Sequence, residues 1–170
     1  KLVAHGADVN ALVTQRPPAG ITRLNSIGGT PLLLAARTAD AEFMRLLVEL
    51  GAAPLLPTNH TSTPLMVAAG LGTSSPGEDP GTEPEVVEAV ALAIELGGDL
   101  NAVDDNGETV MHGAAYKHFP AVVEFLSEAG ADIEVWNQEN RRGWTPLDIV
   151  EGGIHIGMNI LRSAPTAAAI

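Results

Sequence analysis

A pattern with a period of 33 residues runs through the chain and separates, for example, Thr30 from Thr63. Gly97 and Gly130 lie the same distance apart. Each copy passes from a glycine-containing loop through a polar turn into a short helix opening, and then into a second apolar helix. A fixed period of this size is typical of one supersecondary unit repeated in a stack, because each unit buries its apolar face only against its neighbours. The sequence therefore predicts a repeat solenoid.

Two short motifs recur in register over nearly the whole chain. The helix opening occurs as TPLLLAA at Thr30, TPLMVAA at Thr63, TVMHGAA at Thr109 and TPLDIVE at Thr145. The loop opening occurs as GADVN at Gly6, GAAPL at Gly51, GGDLN at Gly97 and GADIE at Gly130. Together these motifs resemble the ankyrin repeat family. The resemblance implies an all-α solenoid of stacked helix–turn–helix units with short β-hairpin fingers, and partners that dock on the fingers and the inner helices.

The fourth position of the helix opening departs from the family pattern. The family's histidine occurs there only as His112, and the matching positions hold Leu33, Met66 and Asp148. The resemblance therefore implies a histidine-mediated hydrogen bond between units at His112 alone. We interpret Asp148 as part of a terminal unit, because the outer face of a capping repeat has to be polar.

The composition limits which residues can form the core and which kinds of partner the chain can bind. Apolar residues make up 45% of the chain but aromatic residues only 4%, so the core has to be built from Ala, Leu, Val and Ile in thin helix layers. The net charge of −12 repels phosphate backbones, which excludes nucleic acid as the expected partner. The chain has no cysteine, and no apolar run reaches the length of a membrane span.

Local signals predict where the helices begin. Thr30 can cap the free N–H groups of the first helix while Pro31 occupies a position that needs no N–H. Thr82 and Glu85 form a candidate capping box that starts the helix at VVEAVALAIEL. The segment AEFMRLLVEL predicts a second helix whose apolar stripe contains Phe43, Leu46, Leu47 and Leu50.

Two insertions interrupt the period, near residues 12–28 and 71–83. The first adds 12 residues and has two interpretations. It is either a surface loop, which costs little closure entropy, or a functional finger that presents Arg16 and Arg23. The second adds 13 residues that are rich in Gly, Pro, Ser and acid, and we expect a mobile loop that proteases cut before the helices.

The ends of the pattern suggest the extent of the array. The opening KLVAHGADVN reads as the last turn of a helix running into its loop, so we expect an upstream unit and an exposed apolar surface at Lys1. After TPLDIV the helix pattern is weak, and we expect a shortened helix that ends near Arg162. The predicted organisation is an array over residues 1–162 followed by a flexible tail over 163–170.

Metal sites and catalytic motifs are not expected. The histidines are His5, His60, His112, His118 and His155, and no pair has the spacing of metal ligands. The run DDNGE at 104–108 resembles half of a calcium loop, but its spacing fails the full pattern and Asn-Gly is a turn signal. The sequence contains no G-x-S-x-G, no H-E-x-x-H and no phosphate loop. We predict no metal, no cofactor and no catalytic residue.

The two tryptophans of the chain fall in one predicted finger. Aromatic and cationic residues cluster there against an acidic background, and such residues often supply most of the energy of an interface. For Trp136, binding and packing are equally plausible, whereas packing is favoured for Trp144. The predicted partner-binding residues are Trp136, Asn137, Arg141, Arg142 and Trp144 of this finger, together with Arg16, Arg23 and His60.

Two functions remain open at this point. The first is a protein–protein interaction module without catalytic activity, which forms a monomeric array within a longer chain and binds another protein. The second is a regulatory or targeting arm of a larger enzyme or channel. The complete reading frame would distinguish them.

Overall fold

Helices are the main regular elements of the molecule, whose computed structural model describes residues 3–15, 24–74, 76–77, 80–156 and 159–170. For residues 153–156 and 159 the description is of the backbone. The helices are α1 (Pro31–Arg37), α2 (Ala41–Glu49), α3 (Pro64–Ala69), α4 (Glu83–Glu95), α5 (Val110–Lys117), α6 (Pro120–Glu128), α7 (Ile133–Trp136), α8 (Pro146–Asp148) and α9 (Ala164–Ala169). A 3₁₀ turn covers Val3–His5, and strands β1 (Ile154–Ile156) and β2 (Asn159–Leu161) form one antiparallel hairpin.

The helices form two layers that run through the stack. The inner layer consists of α1, α3, α5 and α8, each of which packs against the next. The outer layer consists of α2, α4, α6 and α9, which also pack in sequence. Each of the first three inner helices also contacts the outer helix of its own unit. This arrangement confirms the predicted all-α solenoid.

A threonine begins every inner helix, as the sequence predicts. The hydroxyl oxygens of Thr30, Thr63 and Thr145 each accept a hydrogen bond from the backbone N–H three residues on, at 3.2 Å. Thr109 instead bonds the ring of His112. The helix N-termini are thereby satisfied at one equivalent position in all four units.

The Ala-Ala pair of the helix opening explains how closely the layers approach. Both alanines are buried in the first three units, and the third motif residue beside them, Leu32, Leu65 or Met111, is fully buried. In the fourth unit the corresponding Leu147 is exposed, as expected where no further unit covers it.

The apolar stripe of α2 differs from the prediction. Of its four predicted members only Leu47 is buried, and Met44 and Ala41 complete the buried face. Phe43, Leu46 and Leu50 are exposed. Apolar residues occupy more than one face of this helix, so periodicity alone left the choice of face open.

The C-terminal segment also differs from the expected flexible tail over 163–170. Helix α8 continues as a π-helical turn over Ile149–Gly153, and Gly152, with a φ of 152°, breaks it. After the β1–β2 hairpin, Ser163 caps α9, which packs against α6 in the place of an outer helix. Thr166 is buried in this contact, and Ile170 packs on the core.

The two insertions are described in part. Thr82 and Glu85 form the predicted capping box, in which the Glu85 carboxylate accepts from the Thr82 N–H at 2.7 Å. Leu71 and Thr73, at the start of the second insertion, are buried. Arg16 and Arg23 of the first insertion, and Lys1, lie outside the described residues.

Candidate functional site

Four fingers precede the inner helices at residues 25–29, 58–62, 104–108 and 140–144. Each of the last three is a tight turn closed by one backbone hydrogen bond between its first and last residues: Thr58 to Ser62, Asp104 to Glu108 and Asn140 to Trp144, at 2.9–3.0 Å. The turns contain no assigned strands. The fingers are therefore shorter than the hairpins that the family resemblance implies.

Backbone hydrogen bonds join each finger to the preceding one in constant register. The second residue of a finger donates its N–H to the third residue of the previous finger: Asn59 to Ile27 at 2.8 Å, Asp105 to His60 at 3.1 Å, and Arg141 to Asn106 at 2.8 Å. This regular spacing places the finger tips side by side along one edge of the molecule.

Side chains reinforce two of these junctions. The first residue of one finger bonds the last residue of the finger before it. The Ser62 hydroxyl donates to Asp104 Oδ2 at 2.8 Å, and Asn140 Nδ2 donates to Glu108 Oε1 at 3.2 Å. Asp104 and Asn140 also accept backbone N–H groups of their own turns, so each of them both shapes a finger and ties it to its neighbour.

A buried polar network lies beneath the third and fourth fingers. The Tyr116 hydroxyl donates to Glu108 Oε1 at 3.0 Å, and Asn140 Nδ2 lies 3.2 Å from that hydroxyl. Burial is the main cause that raises the pKa of the Glu108 carboxyl, and it also raises the pKa of Tyr116. Both groups are therefore held towards their protonated forms.

His112 connects the third and fourth units, as the resemblance implies. Thr109 N–H donates to His112 Nδ1 at 3.2 Å, which leaves the proton of the neutral ring on Nε2. Nε2 lies 3.3 Å from the carbonyl oxygen of Trp144 in the next finger. Burial lowers the pKa of His112 to about 4, so the ring is neutral near pH 7.

Trp136 is not available to a partner. It lies at the end of α7, is only 7% exposed, and belongs to the main hydrophobic core. The structure thus corrects the binding interpretation of this residue. The stretch from Gly130 to Thr145 is three residues longer than the stretch from Gly97 to Thr109, and α7 lies within it.

The other predicted residues of the last finger remain at the surface. Asn137 ends α7 and is exposed, as are Arg141 and Arg142. Trp144 is half-buried against the second core cluster, and the Arg142 guanidinium lies 5.4 Å from the centre of its ring. This distance permits a cation–π contact, so Trp144 combines packing with a partly exposed face.

His60, on the second finger, faces the same region as Arg142. Its Nδ1 lies 4.0 Å from Asp105 Oδ2 of the third finger. His60 and Arg142 line one cavity of about 270 Å³ together with Asp104, Asn106 and Glu108. The structure therefore brings together two of the eight predicted binding residues, while Arg141 and Trp144 are sequence neighbours of Arg142.

Sequence reasoning missed the residues that organise the fingers. Asp104 and Asn140 lie five residues before Thr109 and Thr145, and Thr58 has the same offset from Thr63. Thr58 Oγ1 likewise accepts N–H groups of its own turn. All three are short side chains that can bond to the local backbone, and this recurrence at a fixed offset was the available signal.

The loop openings form further hydrogen bonds between units. Asn10 Oδ1 accepts from Ala53 N–H at 2.8 Å, and Asn101 Oδ1 accepts from Asp132 N–H at 2.9 Å. Both asparagines end a loop opening, in GADVN and GGDLN. Leu55 occupies this position in the second unit and cannot form the equivalent bond.

Residues 3–15, 24–74, 76–77, 80–156 and 159–170 contain neither a metal-binding cluster nor a membrane-spanning helix. In those ranges no cluster of three or more His, Asp or Glu side chains is arranged to hold an ion. No helix within the same residues has the length and hydropathy needed to cross a bilayer.

Comparison with known proteins gives a consistent result. The profile of the Ankyrin repeat family matches residues 28–59. The chain is 33% identical over 134 residues to Ankyrin repeat domain-containing protein 63 of Homo sapiens, covering 75% of this chain and 32% of that protein. It is 25% identical over 179 residues to E3 ubiquitin-protein ligase KEG of Arabidopsis thaliana, covering 94% of this chain and 10% of that protein. Potassium channel AKT1 of Oryza sativa subsp. indica is 35% identical over 78 residues, covering 44% of this chain and 8% of the channel.

Stacked helix pairs with aligned fingers define the molecule as a helical repeat protein. The recurring threonine caps, the finger register and the matches to known proteins show further that the chain belongs to the ankyrin repeat family. Repeats of this family are protein–protein interaction modules rather than catalytic units. The chain spans about a third of the length of the human relative and about a tenth of the plant ligase.

Proposed function

We propose that the chain is a protein-binding module that docks a partner on its fingers and the adjoining inner-helix face, without catalytic activity of its own. The observation that carries this proposal is the alignment of three successive finger tips by backbone hydrogen bonds, with the half-buried His60 and the exposed Arg141 and Arg142 along them. A finger backbone that is fixed before binding loses little conformational entropy when a partner docks.

The proposed surface consists of His60, Asn137, Arg141, Arg142 and the exposed face of Trp144. Arginine and tryptophan are enriched at the energetic centres of interfaces. Trp136 is excluded because its side chain is buried. Arg16 and Arg23 of the first insertion are also predicted to bind the partner, and both lie outside the described residues.

Affinity capture with paired variants tests the proposal. The double variant His60→Ala/Arg141→Ala removes two side chains from the fingers. The control, Arg45→Ala, removes an exposed arginine from outer helix α2, where it pairs with Glu88 at 2.8 Å. We expect proteins enriched by the wild type to be lost with the double variant and retained with the control. Equal retention by all three proteins would contradict docking on the fingers.

A second candidate function is that of a regulatory or targeting arm of a larger enzyme or channel. The relatives favour it, because this chain matches only 10% of a protein named as an E3 ubiquitin-protein ligase and 8% of one named as a potassium channel. Sequencing the complete reading frame tests this candidate. A catalytic or channel domain in the same frame would support it, and a frame that encodes repeats alone would contradict it.

A further inference from the structure

A polar cavity of about 270 Å³ lies between the fingers and the inner helices. The second finger contributes His60 and Ser62, the third contributes Asp104 and Glu108, and Arg142 of the fourth finger closes one side. The cavity is slightly smaller than the pockets of about 300–1,000 Å³ that hold drug-sized ligands. Its size suits a single side chain.

Glu108 carries an unsatisfied oxygen at this cavity. The residue is 8% exposed, and its Oε1 accepts from Tyr116 and Asn140 at 3.0 and 3.2 Å. Its Oε2 is buried and has no hydrogen-bond partner among the described residues. A buried polar atom without a partner costs on the order of 1–3 kcal/mol, and such atoms are rare in native proteins. A ligand that donates a hydrogen bond would satisfy this oxygen.

The surroundings indicate that the missing donor is a cation. Asp104, the other carboxylate of the cavity, already accepts from Ser62 and from backbone N–H groups of its own turn. Arg142 is exposed and lies against the ring of Trp144. No cation therefore hydrogen-bonds to Glu108 within the described part of the chain, and the net charge of −12 attracts basic groups.

We propose that this cavity receives one arginine or lysine side chain from a basic segment of the partner protein, which donates to Glu108. The proposal rests on the function proposed above and specifies the partner chemistry of the same surface. Because Oε2 is closed to water in the free molecule, the groups that surround it have to move as the cation enters. A charge-assisted hydrogen bond to a carboxylate shielded from water is among the stronger polar contacts available to an interface. Burial is the main cause of the raised pKa of Glu108, and the charge of Arg142 lowers this pKa without cancelling the effect of burial.

Two-dimensional NMR of the complete chain tests the proposal with defined probes. The protein is titrated with N-acetyl-arginine amide and N-acetyl-lysine amide, and with N-acetyl-glutamine amide as the neutral control. We expect at least one basic probe to produce saturable shifts of the Glu108, Tyr116 and Asn140 amides, and the glutamine probe to produce none. Absence of saturable shifts with both basic probes at tens of millimolar would overturn the proposal.

Matched variants separate Glu108 from the general negative charge. Glu108→Gln keeps an oxygen that can accept from Tyr116 and Asn140 but removes the charge. Glu139→Gln makes the same change at an exposed carboxylate beside the fourth finger. Binding should weaken about tenfold or more in Glu108→Gln and stay unchanged in Glu139→Gln. Equal weakening in both variants would indicate nonspecific charge attraction and overturn the proposal.

The result can be interpreted even if Glu108→Gln fails to fold. In that case the wild-type shift map decides, because shifts confined to the cavity support the site and shifts spread over surface carboxylates contradict it. The two proposals also fail separately. Suppose that partner capture depends on the fingers but is unchanged in a folded Glu108→Gln variant. This result would support the protein-binding module and contradict the binding of a basic side chain at Glu108.

Discussion

At the scale of single residues, His112 makes the stability of the fold depend on pH. Burial lowers its pKa from 6.5 to about 4, so the unfolded state binds a proton at a higher pH than the folded state does. The contribution of this neutral histidine to stability is complete above pH 6.5 and decreases as the pH falls towards 4. A shift of this size corresponds to about 3 kcal/mol.

Replacement by the residue of the preceding unit isolates this effect. Met66 occupies the same motif position as His112, so His112→Met places a side chain there that the fold already accepts. Between pH 7.5 and 4.5 we expect the free energy of unfolding in urea to fall by about 2 kcal/mol more in the wild type than in the variant. Carboxylates titrate in both proteins and cancel in the comparison. Parallel curves would show that His112 is not responsible.

Gly113 of α5 lies close to the backbone of α3 and of the residues that follow it. A Cβ at this position would lie 2.9 Å from the Met66 carbonyl oxygen and from the Leu71 nitrogen, both of them backbone atoms. We therefore expect Gly113→Ala to destabilise the protein by about 1–3 kcal/mol, although alanine is the better helix former. Ser127→Ala, at an exposed position of α6, is the control and should change the free energy of unfolding by less than about 0.5 kcal/mol. An unchanged midpoint for Gly113→Ala would contradict this close contact.

Residue-level predictions from sequence succeeded where a local motif determines the contact. The helix starts at the four threonines follow from short-range spacing, whereas the bond from His112 to the next unit was implied by the family resemblance. Burial of Trp136 did not follow, because it depends on how α7 turns against α5 in three dimensions. Glu108 was not recognised for the same reason, since its partners Tyr116 and Asn140 lie 8 and 32 residues away.

At the scale of elements, α9 tests how the stack ends. A flexible tail could be removed without cost, whereas α9 packs on α6 and buries Thr166. We expect deletion of residues 164–170 to lower the free energy of unfolding by at least about 2 kcal/mol, comparable to exposing one large apolar side chain. Thr166→Glu should have a similar effect, and Ala168→Glu, at an exposed position, should have little. Unaltered urea midpoints would instead support the flexible tail.

The sequence contains a helix-start signal for α9, but the small residues that follow it show no helical pattern. Ser163 is followed by Pro165 at an early helical position, and its hydroxyl oxygen accepts from the Thr166 N–H at 3.4 Å. This is a helix start of the kind seen at the threonines. The run of small residues after it lacks an apolar periodicity, so the pattern gave no sign that a neighbouring helix would cover it.

At the scale of the whole molecule, the junctions between units differ in their links. The first and second fingers share the Asn59–Ile27 backbone bond. The second and third fingers add the Ser62–Asp104 bond, and the third and fourth add the Asn140–Glu108 bond. The repeat period predicts equal neighbours, whereas the polar residues at one offset make the junctions unequal. In a solenoid, the free energy of unfolding is close to a sum of contributions from the units and from their junctions. Unequal junctions should therefore give units that unfold locally with different free energies.

Native-state hydrogen exchange tests this dependence on neighbours. Asn140→Ala removes the side chain that ties the fourth finger to the third, so exchange should accelerate in α8 and the turn over Ile149–Gly153 while α1 keeps its protection. Asn10→Ala, in the first loop opening, removes the bond to Ala53 and should accelerate exchange around residues 51–53 without affecting α8. Because each unit contacts only its neighbours, a perturbation should fade along the stack instead of spreading through it. Equal acceleration of all helices in both variants would show that the molecule opens as one cooperative unit and that its junctions are not independent.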